Sequence, residues 1–383
     1  MVKQGYKQTE VGVIPEDWDI KTLKKVAPLQ RGFDLPYSQM KDGSYPVVFS
    51  NGVGAYHAQY MVKGPGVVTG RSGTIGKIHY VDENYWPHNT SLWVTNFCGN
   101  YPKYIYYLFN TINWELYNSG SGVPTLNRND IHDLKCVIPS IEEQKRIAEV
   151  LSDVDCMISL LEKLIAKKKA VKLGAMQELL TGKKRLPGFT GEWKKIELKE
   201  LIKEFIVPMR DKPKDLSGPI PWCRIEDFNG KYLYSSKTNQ GVTIETISNM
   251  NLKVFPKNTL LVSCSAFLGR CAIVGSELIT NQTFIGLVPN NKVNVEFLFY
   301  VMIGEEKNLN LLSSGTTISY LSREQFEDYK IYIPCDVLEQ TAIASTLSDM
   351  DNEIETLEQK LEKTRQIKQG MMQQLLTGKI RLV

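Results

Sequence analysis

The chain has 383 residues, of which 42% are hydrophobic and 23% charged, and it carries a formal net charge of +4. This length allows two or three domains with their own cores, and the charge favours a polyanionic partner only slightly. No apolar run is long enough to span a bilayer and the first residues lack the apolar segment of a signal peptide, which together predict a cytoplasmic protein.

Residues 1–139 are predicted to form a first globular domain. The segments YPVVFSNG, GVVTGRSGTIGKIHYV and SLWVTNF are rich in glycine, aromatic and β-branched residues, which predicts short strands joined by tight turns. PKYIYYLFNTIN predicts an amphipathic helix that places Tyr104, Tyr107 and Leu108 on one face. For these side chains the pattern favours core packing over base stacking.

Residues 140–186 are predicted to form a helical spacer. Ser140 and Glu143 stand at capping-box spacing, which would satisfy amide groups at the helix entrance, and Gly182 is typical of a left-handed helix end. Roughly 40 helical residues at about 1.5 Å each give a rod of roughly 60 Å.

Residues 187–334 follow the order of the first domain with a diverged sequence. SCSAFLGRCAIV parallels TGRSGTIGKIHY, NQTFIGLV parallels NTSLWV, and SSGTTISYLSREQFEDYKIYIP parallels SGSGVPTLNRNDIHDLKCVIP. Two domains of one fold that bind two different ligands would produce this pattern, and so would neutral drift after a duplication.

Residues 335–383 repeat the first helical spacer without a gap and agree with it at about half of the positions, which indicates a duplication. Both copies carry apolar side chains at 3-4-3-4 spacing, a narrow seam that needs a partner helix. The other copy supplies one, although a second subunit would also serve. The predicted helix-pairing residues are Leu151, Val154, Ile158, Leu161, Ile165, Leu347, Met350, Ile354, Leu357 and Leu361.

The predicted fold class is α+β, with two similar mixed α/β domains separated by two long helices that pair as an antiparallel coiled coil. An approximate two-fold axis would then relate the halves. If that axis stood perpendicular to a DNA duplex, the two half-sites would lie about 10 base pairs apart.

No constellation typical of an enzyme is found. GRSGTIGK lacks the spacing of a phosphate-binding loop, and neither a Rossmann glycine fingerprint nor an N-P-P-[FY] motif is present. The four histidines have no metal-ligand spacing, and the seven cysteines include no C-x-x-C pair, so neither a metal site nor a disulfide framework is predicted. We expect the cysteines to be reduced and mostly packed.

What remains is binding chemistry on loops, where cationic groups can meet phosphates and amide or guanidinium groups can pair with base edges. The first domain offers Arg31, Ser50, Asn51, Lys63, Arg71, Ser72, Thr74, Lys77 and Asn89, and the second offers Arg210, Arg224, Ser263, Ser265, Arg270, Asn281 and Gln282. For any one of them a solvated surface role is at least an equal alternative. The lysine run Lys167, Lys168, Lys169 and Lys172 is more typical of a solvated helix face or a subunit contact.

Several segments together carry a likeness to a known family: GYKQTEVGVIPEDWDI, IPSIEEQKRIAEVLSDVD, LEQTAIASTLSDMD, QELLTGK and QQLLTGK, IPWCRIEDFNG, FPKNTLLVSCSAFLG and NQTFIGLVP. In these segments the chain resembles the specificity subunits of type I restriction-modification systems. The likeness extends over essentially the full chain.

The resemblance implies a DNA-binding subunit that is not itself catalytic. Residues 1–139 and 187–334 would be two target recognition domains, each reading one half of a bipartite, asymmetric DNA sequence. The helical regions 140–186 and 335–383 would fix the gap between the half-sites and dock two methyltransferase subunits, joined by restriction and translocase subunits in the full complex. The cofactor S-adenosylmethionine would belong to the methyltransferase partner.

Two other classes of function remain open from the residues. The chain could be a coiled-coil scaffold that recruits proteins without DNA specificity, or an enzyme whose site has no familiar motif. Co-purification with a methyltransferase and a split methylation motif would distinguish the first reading from both.

Overall fold

The computed structural model describes residues 4–210, 212–265, 268–312 and 320–382. The chain divides into two compact units: unit 1 comprises residues 1–163 and 359–383, and unit 2 comprises residues 164–358. Each unit contains one globular domain, the first part of the helix that follows it and the last part of the other long helix. The predicted domain boundaries stay a prediction.

The elements of unit 1 are short strands and helices followed by a long helix that begins in this unit. The strands are β1 Tyr6–Thr9, β2 Gly12–Pro15, β3 Asp19–Thr22, β4 Leu29–Arg31, β5 Tyr45–Phe49, β6 Gly52–His57, β7 Gly66–Gly70, β8 Ile78–Val81, β9 Trp86–Pro87, β10 Ser91–Val94 and β11 Lys135–Ile138. The helices are α1 Leu23–Val26, α2 Pro102–Phe109, α3 Arg128–His132 and α4 Ile141–Leu179, with 3-10 turns at Tyr37–Gln39 and Trp114–Tyr117.

The elements of unit 2 follow the same plan. The strands are β12 Trp193–Glu197, β13 Ile202–Ile206, β14 Ile220–Cys223, β15 Tyr232–Leu233, β16 Gly241–Val242, β17 Leu260–Ser263, β18 Cys271–Val274, β19 Ile279–Thr280, β20 Phe284–Pro289 and β21 Lys330–Pro334. The helices are α5 Leu198–Leu201, α6 Ile244–Met250, α7 Val295–Gly304, α8 Glu306–Leu312, α9 Arg323–Glu327 and α10 Val337–Leu375, with a 3-10 turn at Ile225–Asp227.

The sheets of the two units have matching topology. Unit 1 has a four-stranded antiparallel sheet in the order β4-β10-β7-β8, and unit 2 has β13-β20-β17-β18 with β15 added at the edge. The three-stranded sheets β6-β5-β9 and β16-β14-β19 each contain one parallel pair, and β3-β11 and β12-β21 are matching antiparallel pairs. The paired segments of the sequence therefore adopt one fold, although 266–267 and 313–319 lie outside the described residues.

The long helices pack antiparallel to each other within each unit. In unit 1, ion pairs join Asp155 to Lys368 at 2.6 Å and Glu162 to Arg365 at 2.6 Å. The residue numbers of the partners rise along α4 and fall along α10, so the two helices run in opposite directions. In unit 2, Lys168 and Lys169, from the lysine run, pair with carboxylates of α10 at 2.6 Å. The predicted fold class is confirmed, whereas the two-fold relation between the halves stays a prediction.

The apolar seam lies between the paired helices. Of the predicted helix-pairing residues, Leu161, Ile165, Ile354 and Leu361 are buried and Val154, Ile158, Met350 and Leu357 are partly buried, whereas Leu151 and Leu347 are fully buried in the domain cores of units 1 and 2. The glycines that follow both helices, Gly182 and Gly378, have φ of +68° and +72°, the left-handed conformation that ends a helix.

The core of each globular domain packs on the first turns of its long helix. Tyr104, Tyr107 and Leu108 of α2 are buried, as their spacing predicts. The side chains of Ile147 on α4 and Leu375 on α10 belong to the same cluster. Among the described residues, no helix is long and apolar enough to cross a membrane.

Of the two hydrogen bonds that the predicted capping box at the start of α4 requires, one is present and the other is not. The amide of Glu143 donates to Oγ of Ser140 at 3.3 Å, as predicted. The Glu143 carboxylate, however, does not turn back to Ser140. It accepts from Nε1 of Trp18 at 3.0 Å and from Nε and Nη2 of Arg381 at 2.7 and 2.9 Å, because a buried carboxylate needs a cation more than a second amide.

The same arrangement recurs in unit 2, where Arg185 and Trp193 donate to Glu339. Both glutamate side chains are at most 1% exposed. We call these groups, Trp18-Glu143-Arg381 and Trp193-Glu339-Arg185, the entrance clamps. Each clamp ties the start of a domain, the start of its long helix and the residues after the other long helix into one buried cluster.

Removing the arginine of one clamp should destabilise only its own unit. We expect Arg381→Ala to cost about 3–5 kcal/mol, because it leaves the buried Glu143 carboxylate without its cation. Hydrogen exchange followed by mass spectrometry should show faster exchange around Trp18 and Ile147.

Arg185→Ala is the matched control and should speed exchange around Trp193 and Ile343 instead. Arg381→Lys keeps the charge and should lose less stability than Arg381→Ala. Equal exchange in wild type and Arg381→Ala would contradict the role given to the clamp.

Candidate nucleic-acid interface

Four loop segments of unit 1 meet at one end of the four-stranded sheet. The last residues of β7 oppose the first residues of both β8 and β10, and Arg31 at the end of β4 opposes β10. The turn between β5 and β6 joins them, because the amide of Ser50 donates to Oγ1 of Thr90 at 3.3 Å. We call this set loop edge 1; it comprises residues 31–34, 50–51, 71–77 and 88–90.

A hydrogen-bonded network connects three predicted residues of loop edge 1. Asp34 accepts from Nη2 of Arg31 at 3.1 Å and from Nδ2 of Asn89. Nη1 of Arg71 donates to the carbonyl oxygen of Asn89 at 3.1 Å. The Asn89 hydrogen bond, together with the Arg31 charge, lowers the pKa of Asp34, so this carboxylate is ionised at neutral pH. The network presents guanidinium and amide groups in fixed positions beside one anion.

Asp34 was missed from the sequence because no spacing relates residue 34 to residue 89. Only the fold brings β4 and the loop before β10 together. An isolated aspartate in a loop carries no signal of its own, since aspartate is common in turns.

The other predicted residues of the first domain divide into three groups. Asn51 and Lys77 are exposed on loop edge 1, and Ser72 and Thr74 are partly buried there. Ser50 is 8% exposed and holds the turn rather than facing solvent. Lys63 precedes β7, whose five residues at about 3.3 Å each place it roughly 15 Å or more from the loop edge. The fold therefore does not bring Lys63 to the others.

Tyr37 is a further residue beside loop edge 1 that sequence reasoning missed. Its side chain is 77% exposed, yet its ring stacks on Phe49 at a centroid distance of 6.2 Å. Phe49 in turn packs on His88 at 4.3 Å. An exposed ring held in this way can stack on a base or sugar at little conformational cost.

The corresponding end of the sheet in unit 2 forms loop edge 2, which we define as residues 207–210, 224–227, 237–240, 263–265, 268–270 and 281–283. Its hydrogen bonds run from the amide of Ser263 to the carbonyl of Arg270 at 2.8 Å and from the amide of Cys264 to the carbonyl of Thr283 at 2.9 Å. All the residues predicted in the second domain lie on this edge: Arg210, Arg224, Ser263, Ser265, Arg270, Asn281 and Gln282.

The side chains of loop edge 2 differ from those of loop edge 1. Nη2 of Arg224 donates to Oε1 of Gln240 at 2.9 Å, and the main-chain amide of Arg224 donates to Oδ2 of the buried Asp227 at 2.7 Å. Ser263 is fully buried and donates to the carbonyl of Ser265 at 2.7 Å, so it shapes the loop. Arg210 and Gln282 are exposed. Gln240 was missed because it lies 16 residues from Arg224 in the sequence.

Both edges carry polar side chains, and the protonation of the histidines at or beside loop edge 1 is set by burial. Among the residues that the structure describes, no group of three or more His, Cys, Asp or Glu side chains could hold a metal ion. Burial lowers the pKa of His79 and His88, which leaves both imidazoles neutral at physiological pH. What the edges offer are hydrogen-bond donors and acceptors on loops that a rigid sheet positions.

Comparison with known proteins agrees with the duplication. The protein-family model for the type I restriction modification DNA specificity domain matches residues 15–169 and again residues 190–366. A Methanocaldococcus jannaschii protein assigned as the MjaX type I restriction enzyme specificity subunit is 27% identical over 99% of this chain and 97% of its own length. The MjaVIII specificity subunit of the same organism is 27% identical over 69% of this chain and 66% of its own length.

Among solved structures, the type I restriction-modification S subunit from M. genitalium matches with a TM-score of 0.67 at 16% identity. The match covers 94% of this chain and 96% of that one. This likeness extends to the fold alone.

Replacing the anion of loop edge 1 should change how the chain binds nucleic acid. Asp34→Asn removes one negative charge facing a polyanion, so we expect about two- to fivefold tighter binding to an arbitrary DNA duplex. Fluorescence anisotropy at several salt concentrations measures this.

Asp82→Asn makes the same charge change at the opposite end of β8 from loop edge 1 and should leave binding unchanged. If both variants tighten binding equally, the effect is one of net charge and the loop edge has no special role.

Proposed function

The chain belongs to the family of type I restriction-modification DNA specificity subunits, and from this premise we propose that it reads a bipartite, asymmetric DNA sequence. Loop edge 1 reads one half-site and loop edge 2 reads the other. The subunit is not catalytic: two methyltransferase subunits supply the reaction and bind S-adenosylmethionine, and restriction and translocase subunits join the full complex in the cytoplasm.

One observation carries this proposal: the same sheet end is presented in both units with different side chains. In loop edge 1 Arg71 donates to the main-chain carbonyl of Asn89, whose side-chain amide donates to Asp34, whereas in loop edge 2 Arg224 donates to the side chain of Gln240. Arginine pairs with guanine, asparagine and glutamine pair with adenine, and a carboxylate accepts from cytosine. A shared scaffold with two donor and acceptor patterns favours two different half-sites.

The paired helices support a second part of the proposal, that they set the gap between the half-sites. Both helices have 39 residues, and their contacts combine a buried seam with ion pairs in each unit. Such a pair resists bending and can hold two readers at a fixed separation. The helix faces turned away from the seam are the surface on which we place the methyltransferase subunits.

Changing one arginine of a loop edge should relax one half-site and leave the other unchanged. We expect Arg71→Gln to lose about 1–3 kcal/mol of discrimination at one or two bases of one half-site. Arg224→Gln should do the same in the other half-site. Single-molecule sequencing of methylated DNA from a host that expresses each variant with its methyltransferase gives both motifs directly.

Lys25→Gln, the same charge change at an exposed position of α1 outside both loop edges, is the control and should preserve the complete motif. If Arg71→Gln relaxed both half-sites, or only lowered methylation of an unchanged motif, the assignment of one edge to one half-site would be wrong.

Lengthening both helices should widen the gap without changing either half-site. We propose inserting seven helical residues after Lys163 and seven after Glu358, where each helix passes from one unit to the other. Seven residues keep the seam in phase and add about 10.5 Å, or about three base pairs of DNA. The methylated motif should gain about three unspecified positions.

An insertion in α4 alone is the comparison, because its added residues have no facing turn on α10 and should reduce methylation. An unchanged gap in the doubly lengthened chain would contradict the proposed spacer role.

A further inference from the structure

One edge of the four-stranded sheet is open in unit 1, and the equivalent edge in unit 2 is covered by an additional strand of that unit. β8 is the edge strand of the unit 1 sheet, whereas β18 at the same place in unit 2 is paired in parallel with β15. The amide of Ile273 donates to the carbonyl of Lys231 at 2.9 Å, and that of Gly275 donates to the carbonyl of Leu233 at 2.8 Å. The segment that contains β15 connects β14 to β16. The equivalent connection in unit 1, from β5 to β6, is only a two-residue turn.

Sheet register and helix position establish which residues correspond. Val81 opposes the first residue of β7, and Ile273 opposes the first residue of β17, so the two are equivalent. Lys103 and Glu296 are each the second residue of a helix, α2 and α7. Those helices are equivalent, because Tyr107 and Tyr300, each the sixth helical residue, donate to Asp155 and Asp351 of the long helices.

In unit 2 the added strand is fixed by charge as well as by its backbone. Nζ of Lys231 lies 2.5 Å from Oε2 of Glu296 and donates to Oγ of Ser348 at 2.7 Å. The hydroxyl of Tyr232 donates to Oε1 of Glu296 at 2.5 Å. The Lys231 side chain is 14% exposed, so the ion pair is largely shielded from water. The Lys231–Glu296 ion pair therefore favours the pairing of β15 with the edge of β18.

In unit 1 the corresponding space is an open cleft of about 500 Å³. Its lining includes Tyr80, Asp82, Glu83, Lys103, Tyr106 and Asp155. The charge at the key position is reversed, because Lys103 stands where Glu296 stands in unit 2. Its ammonium group lies 3.9 Å from the ring centroid of Tyr80. Among the described residues, Lys103 pairs with no carboxylate.

The reversal identifies what the cleft accepts. A strand entering here in the manner of β15 must place a carboxylate, in place of Lys231, against Lys103. Asp82 and Glu83 follow β8 directly and are exposed, so they disfavour a polyanion such as DNA. They favour instead a bound strand that carries a cation about three residues after the carboxylate facing Lys103.

We propose that the free edge of β8 binds an extended segment of another polypeptide as a parallel strand, with an acidic side chain of that segment paired to Lys103. Main-chain hydrogen bonds to β8 supply affinity, and the Lys103 ion pair supplies selectivity. This site is independent of the proposed reading of DNA by loop edge 1, so each can fail without the other.

The chain itself provides the probe for a test. Two synthetic peptides copy residues 229–236, NGKYLYSS, one unaltered and one with Lys231→Glu. Each carries a photo-reactive group and is cross-linked to the full-length protein, with the attachment sites mapped by mass spectrometry. We expect the Lys231→Glu peptide to attach to β8 and α2 about fivefold more than the unaltered peptide, the effect of one partly shielded ion pair.

Variants of the protein separate this site from general charge effects. Lys103→Glu should reverse the preference, and Lys103→Gln should abolish it without reversal. Lys25→Glu, the same charge change at an exposed position of unit 1, should leave it intact. Melting curves confirm that each variant is folded.

Three results would overturn the proposal. One is attachment of the Lys231→Glu peptide outside β8 and α2, and another is equal attachment of both peptides to the wild type. The third is displacement of the peptide by a DNA duplex together with weaker DNA binding by Lys103→Glu than by Lys25→Glu, which would make the cleft a DNA surface.

Discussion

The buried glutamate at the start of each long helix is the constraint on which both units depend. A carboxylate with at most 1% exposure is stable only where a cation and further donors reach it. Glu143 obtains them from Arg381 and Trp18, so three distant parts of the chain must meet before the group is satisfied. The clamp therefore favours one arrangement of domain and helices over looser packings of the same apolar seam.

A second polar group repeats this logic farther along the helices. The hydroxyl of Tyr107 donates to Asp155, which also pairs with Lys368 of the other helix, and Tyr300, Asp351 and Lys172 repeat the arrangement in unit 2. In both units burial raises the pKa of the tyrosine well above its ordinary value, so the phenol remains a donor. These contacts set the register of two helices whose narrow apolar seam alone would tolerate slippage.

The two domains and the paired long helices could be predicted from the sequence, because duplication and helix periodicity are patterns of residues close together in the chain. The burial of Tyr104 and the left-handed glycine after each helix follow from such signals. The role of Glu143 was misjudged, since its capping-box spacing is local whereas its actual partner lies 238 residues away. The Asp34 network and the exclusion of Lys63 likewise depend on which strand ends become neighbours. The fold decides that, and spacing along the chain does not.

The first and last parts of the described chain touch inside unit 1. The hydroxyl of Tyr6 donates to the carbonyl of Gly378 at 2.9 Å, and Arg381 pairs with Asp17 at 2.7 Å. In unit 2 the residues equivalent to Gly378 and Asp17, Gly182 and Glu192, are joined by continuous backbone. The connection is therefore covalent in one unit and non-covalent in the other. A circular permutant opened between Leu186 and Pro187, with a short linker joining the segment of Arg381 to that of Tyr6, would keep Glu143 and Glu339 with the same partners.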